Sequence, residues 1–219
     1  MMHKFNVKKV KYDVDQIIGY FGIEVVHNDD YLQKWLSVAL PPNFEIPELL
    51  EEKRKLLVYE GALWNEEELK MHFLSIVFSY ANMEVNKKIK LFYERPLAGI
   101  VQDVPLSVVC DALLARPYGI NTPAAPYFFL QEFKKGKKAT DDAEGQMLIA
   151  MLIAQELNND GQTVYGCYLQ GKDWYFCVLH ERQYSFSKAY DATQPDELKQ
   201  ILAILAHLKQ LILSQSEKN

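Results

Sequence analysis

Apolar residues recur along this chain in two rhythms, one helical and one alternating. From Trp64 to Tyr80, the stripe Leu69, Phe73, Ile76, Val77 and Tyr80 repeats every three to four positions and predicts an amphipathic helix. Asn65 is placed to cap it, and Glu68 falls where a capping box needs an acid. Before it, Val14–Phe21 fits a short helix or strand. Asp29–Leu40 reads as a helix stopped by Pro41-Pro42, and Glu48–Tyr59 as a charged helix carrying Leu49, Leu50, Leu56 and Leu57. After it, Ile89–Ile100 and Leu106–Ala115 read as strands joined through Gln102-Asp103-Val104-Pro105. A loop over 116–126 comes next, and Tyr127–Lys134 is the third strand. Ala139–Asn158 is a helix whose middle, Met147–Ala154, is apolar all round and therefore buried. Thr163–Gln170 and Asp173–Leu179 form a hairpin about Gly171-Lys172, and Gln183–Tyr190 adds an edge strand. Pro195–Leu213 closes the chain as a helix with Leu198, Ile201, Leu202, Leu205 and Leu208 on one face.

The order helix, three strands, helix, two strands, helix predicts an α/β fold with a central mixed sheet flanked by helices. Residues 61–214 carry that pattern and form the expected core domain. Residues 1–60 are expected to be a mainly helical extension that packs against it or against a partner.

Composition narrows the reading little. The chain has 219 residues, with 49% hydrophobic, 24% charged and a formal net charge of -5, ordinary for one globular domain. The acidic balance argues against a coat for nucleic acid in general, though not against a local basic rim. Cys110, Cys167 and Cys177 lack metal-ligand spacing and are expected to be buried thiols in a reducing cytoplasm. No apolar stretch approaches membrane-spanning length. The five histidines show no ligand or triad spacing, and there is no phosphate loop, dinucleotide fingerprint or nucleophile elbow.

What changes the picture is charge inside apolar strands. Asp111 lies within Leu106–Ala115, and Glu132 and Lys134 lie within Tyr127–Lys134. A carboxylate in a buried strand is costly unless something pairs with it. Strand alternation puts Glu132 and Lys134 on one face. Two carboxylates on adjacent strands suit a hard divalent cation, Mg²⁺ or Mn²⁺, and a neighbouring lysine can hold a water or a phosphate oxygen. The plainer alternative is a Glu132–Lys134 ion pair with Asp111 at a turn or edge. Glu66 continues the apolar stripe of its helix and so points toward the sheet, with Glu68 as the second candidate acid; helix capping accounts for either equally well. The run Lys134-Lys-Gly-Lys-Lys138 puts Lys135, Lys137 and Lys138 beside these residues, where they suit phosphate-backbone contacts or a solvated turn.

An Asp on one strand and Glu132-Phe133-Lys134 on the next, in this order of elements, resembles the PD-(D/E)XK nuclease-like (restriction endonuclease-like) superfamily. The resemblance covers residues 62 to 180. Cys110 stands where the family pattern has a proline. It implies an αβββαββ core and Mg²⁺- or Mn²⁺-dependent hydrolysis of nucleic acid, with DNA the favoured substrate. It also implies Asp111 and Glu132 as metal ligands and Lys134 as the residue assisting the attacking water. Glu66 and Gln146 are implied to support the site, although Ala150 replaces the aromatic that usually accompanies the Gln. The rival reading is a module that keeps the fold without the reaction and binds a partner through residues 1–60 or forms a homodimer. Hydrolysis of small phosphate esters is a third, weaker reading.

Overall fold

The computed structural model describes residues 12–41, 43–134 and 142–216. Its architecture is α/β: an eight-stranded mixed sheet with helices on both faces. The helices are α1 (Val14–Phe21), α2 (Asp30–Leu36), α3 (Glu48–Glu60), α4 (Glu66–Leu69), α5 (Ser75–Ala81), α6 (Ala143–Asn158) and α7 (Pro195–Ser216). A π-helical turn, Lys70–Leu74, joins α4 to α5. The strands are β1 (Glu24–Val25), β2 (Lys90–Val101), β3 (Val104–Tyr118), β4 (Thr122–Lys134), β5 (Val164–Gln170), β6 (Asp173–His180), β7 (Gln183–Phe186) and β8 (Tyr190–Asp191).

Along the sheet the order is β1-β7-β6-β5-β4-β3-β2, with β8 pairing to β6. β2, β3 and β4 form an antiparallel meander. β4 and β5 are parallel, so α6 is the crossover between them. Two cores result. One, beneath α1 and α6, holds Ile17, Phe21, Met147, Met151 and Tyr184. The other, beneath α2, α3, α4, α5 and α7, holds Trp35, Leu50, Phe73, Phe129, Phe176 and Leu205. A helix buried along most of its surface needs apolar residues all round, and ten residues of α6 are buried. Residues 14–60 supply buried side chains to both cores.

Four details differ from the pattern reading, each for a local reason. The segment expected as a loop over 116–126 is mostly strand: Gly119, with φ 64°, turns the chain tightly. The pairing of β3 with β4 then absorbs Pro126 in a register shift beside Ala115, while Pro117 and Pro123 pair with each other. α2 ends at Leu36, capped by Ser37, before the prolines are reached. The stretch 183–190 is no edge strand. It divides into β7, which β1 covers, and β8, which pairs separately with β6. The extra residue of the π turn rotates α5 relative to α4, so the buried stripe runs Leu69, Phe73, Val77, Phe78, Ala81 and leaves Tyr80 exposed. α6 begins at Ala143, capped by Asp142; the expected start at 139 lies outside the described residues.

Candidate active site

The site forms where β3 and β4 part. Their ladder runs down to the pair Ala112–Gln131. One step further, the backbone N–H of Phe133 donates instead to the Asp111 side chain, at 2.8 Å from Oδ2. Asp111 thus closes the end of the ladder with its carboxylate, and its other oxygen is left for the site.

Asp111 stands at a change of phase in the sheet. On β3, Leu106, Val108 and Cys110 face the α6 core, but beyond Asp111 that face is taken by Leu113 and Ala115. On β2, Leu97 and Val101 face α6, and beyond Glu94 it is Phe92. Tyr93 pairs with Ala112 and Arg95 with Cys110, so Glu94 and Asp111 stand opposite each other at the turnover. Each strand inserts one residue there, and the register is preserved. Glu94 has φ 49°, a left-handed conformation that a residue with a Cβ adopts at a cost.

Glu66 comes from the first turn of α4. Asn65 caps this helix by accepting from the Glu68 N–H, while the Glu68 carboxylate accepts from the Asn65 N–H at 2.6 Å. That reciprocal bond occupies Glu68 at the cap and leaves Glu66 as the acid that faces the sheet. One turn on is Lys70. Its Nζ lies 2.8 Å from Asp111 Oδ1 and 2.8 Å from Glu94 Oε1. It also lies 3.5 Å from Glu66 Oε1 and 3.4 Å from Glu67 Oε1. The ammonium stands 5.7 Å from the centre of the Phe133 ring, within cation–π range.

On β4, Lys134 Nζ lies 2.8 Å from Glu132 Oε1 and 3.9 Å from Glu66 Oε2. The Glu132–Lys134 contact is a close ion pair, and the Lys134 ammonium is the partner of the buried Glu132 Oε1. Glu132 is 2% exposed and Asp111 7%. Burial, then the charge of Asp111, pushes the Glu132 carboxyl up to about 8, although Lys134 pulls the other way. Burial also raises Asp111, against hydrogen bonds from Lys70 and the Phe133 N–H. Burial disfavours the charge on Lys70, but hydrogen bonds to Asp111 and Glu94 outweigh it and its pKa rises. Lys134 shows the same balance, with Glu132 as its main partner.

The structure therefore brings Glu66, Asp111, Glu132 and Lys134 together. Gln146 is on α6, where its amide nitrogen is 3.5 Å from the carbonyl oxygen of Val109, two residues before Asp111. Lys135, Lys137 and Lys138 lie outside the described residues. All three cysteines are free and buried. Lys70 and Glu94 were missed by the sequence reading. Lys70 had a signal, because Glu66, Lys70, Phe73 and Val77 share one helix face. For Glu94 and Asp111 the signal is the break in alternation after Cys110, where the next large apolar residue comes three positions on instead of two.

Oxygen donors of this kind suit Mg²⁺ or Mn²⁺. Among the described residues, no three His, Cys, Asp or Glu side chains stand close enough together to hold a metal ion. A cation here would take Asp111 and Glu132 as its protein ligands and fill its shell with water or substrate oxygens, a habit of Mg²⁺. No helix among the described residues is long and apolar enough to cross a membrane. No protein-family model matches the chain, and no curated protein is similar to it.

Proposed function

We propose that this protein is a metal-dependent phosphodiesterase of the PD-(D/E)XK nuclease-like kind, acting on nucleic acid. The observation that carries the reading is the convergence of Asp111, Glu132 and Lys134 where β3 and β4 part, with both carboxylates buried. The order of elements supports it: α4–α5, the β2–β3–β4 meander, the α6 crossover and the β5–β6 hairpin follow one another in the order that the resemblance implies.

Asp111 and Glu132 would hold a divalent ion, which when bound would supply a Lewis acid for the phosphate and lower the pKa of its water. The chain's own residues do the rest. Lys134 pairs closely with Glu132 and more distantly with Glu66, which holds its ammonium beside the carboxylates to orient a water and to meet charge developing on the phosphate. Glu66 steadies both Lys70 and Lys134. Asp111 and Glu132 are buried, so their charges are weakly screened, while Lys134 and Glu66 reach partly into solvent.

The test is cleavage of labelled single- and double-stranded DNA and RNA with Mg²⁺ or Mn²⁺, with Lys134→Ala beside the wild type. Metal-dependent cleavage that the substitution removes supports the reading and identifies the substrate. A folded wild-type chain that cleaves none of these overturns it.

One observation favours the second reading, a nuclease-fold module without catalysis. Asp111 and Glu132 each already hold a lysine ammonium at 2.8 Å, so the charge network closes on itself. A tight homodimer by light scattering that takes up no divalent ion in calorimetry decides for that reading.

A further inference from the structure

We propose that Lys70 is a built-in cation that keeps a divalent ion out of the Asp111–Glu94 side of this centre. The inference rests on the reading that Asp111 and Glu132 hold a divalent ion, and adds that the site has a second cation position which the chain itself fills.

The geometry of that position is a cation's. Lys70 Nζ has carboxylate oxygens at 2.8, 2.8, 3.4 and 3.5 Å, from Asp111, Glu94, Glu67 and Glu66. Among the described residues, these four carboxylates and Glu132 surround two ammonium groups, Lys70 and Lys134, so the described cluster has excess negative charge when ionised. A Mg²⁺ shared by Asp111 and Glu94 needs oxygens at about 2.1 Å and would draw on the same two oxygens that hold Nζ at 2.8 Å. The two occupants exclude each other by contact and by charge.

Lys70 is also held there. Its side chain is 15% exposed, and its ammonium lies against the Phe133 ring. The π turn begins at this residue, and turns of that kind recur at functional positions. Opposite it, Glu94 keeps a left-handed backbone at the paired turnover that places its carboxylate on Lys70. Asp111 divides its two oxygens between Lys70 and the Phe133 N–H.

In a two-metal phosphodiesterase the second ion stabilises the oxygen that leaves. Lys70 puts a single positive charge on the Asp111–Glu94 side of the centre with no need for coordination. The consequence is a site that takes one divalent ion and carries its second cation covalently.

The experiment counts bound Mn²⁺ by calorimetry and by electron paramagnetic resonance on the full chain, wild type beside Lys70→Met. The expected result is one more bound Mn²⁺ per chain in Lys70→Met than in the wild type. Adding Glu94→Gln to Lys70→Met removes the extra ion. Lys70→Gln, which keeps a polar head among the carboxylates, carries the same reading if Lys70→Met does not fold. A folded variant with the wild-type number of ions overturns the inference. The count in the wild type separately tests the reading beneath it: no Mn²⁺ in the wild type removes the Asp111–Glu132 metal site, whatever the variant gains.

Discussion

Glu94 and Asp111 face each other across the β2–β3 ladder at the one place where both strands exchange their inner and outer faces. Glu94 accepts a left-handed φ of 49° there. Two substitutions separate its strain from its charge. Glu94→Ala loses the contact with Lys70 and keeps a Cβ; Glu94→Gly loses the contact and releases the backbone. In an ordinary strand Ala is the more stable of the two. Here Glu94→Gly is expected to be more stable than Glu94→Ala by about 1 kcal/mol in urea denaturation. The ordinary order, with Ala ahead, argues that the turnover carries no strain.

Glu132 contributes a pH dependence to stability. Its folded-state pKa lies above the usual carboxylate value, at about 8 against 4.5. Between those values the folded chain holds a proton that the unfolded chain has released, so stability falls as pH rises through that window and levels off above it. The loss is on the order of a few kcal/mol. Glu132→Gln cannot titrate and is expected to flatten the slope and to exceed the wild type in stability above pH 8. Urea denaturation in a chelator from pH 5 to pH 9 measures this. An unchanged slope in Glu132→Gln moves the effect to another group.

The start of α6 depends on a glycine. A Cβ added at Gly145 lands 1.5 Å from the Tyr12 carbonyl oxygen and 3.2 Å from Ile17 Cδ1. Next to it, Asp142 Oδ2 accepts from the Val14 N–H at 3.2 Å. Gly145→Ala therefore pushes the lead-in of α1 away from α6. The expected cost is about 2 kcal/mol, within the range for an overpacked contact. Faster amide exchange across α1 is expected to accompany it. A neutral Gly145→Ala shows that the lead-in to α1 moves aside freely.

Much of this fold was legible in the sequence because its signals are local. α6 declares itself through an apolar run too long for a strand, and the β5–β6 hairpin through a two-residue turn. Asp111, Glu132 and Lys134 stood out because charge is rare in such strands. The rest depends on contacts far apart in the chain or on breaks in a rhythm. The two-residue β1 has no pattern of its own and exists because β7 offers it an edge. The π turn adds one residue to an otherwise ordinary amphipathic helix, and sequence periodicity reads straight through it. Helix periodicity puts Lys70 on the inward face, but its partners Glu94 and Asp111 are 24 and 41 positions away, beyond what a local pattern reaches.

Trp35 tests whether the first sixty residues fold with the sheet or beside it. It is fully buried on α2, and its indole N–H donates to the Ile204 carbonyl of α7 at 2.8 Å. Its ring meets Phe129, Tyr165 and Phe176 edge-on, with centroids 6.2, 5.1 and 5.2 Å away. These three belong to β4, β5 and β6, so one side chain ties α2 to the middle of the sheet and to the last helix. Truncating a large aromatic in such a place costs about 3–5 kcal/mol, while Trp35→Phe keeps most of the volume and is expected to cost less than half as much. If the chain is one cooperative unit, Trp35→Ala lowers the single unfolding midpoint seen by both far-ultraviolet circular dichroism and fluorescence. If residues 12–60 unfold on their own, Trp35→Ala instead splits off an early transition and leaves the main midpoint where it was. The contacts with Phe129, Tyr165, Phe176 and Ile204 predict the first outcome.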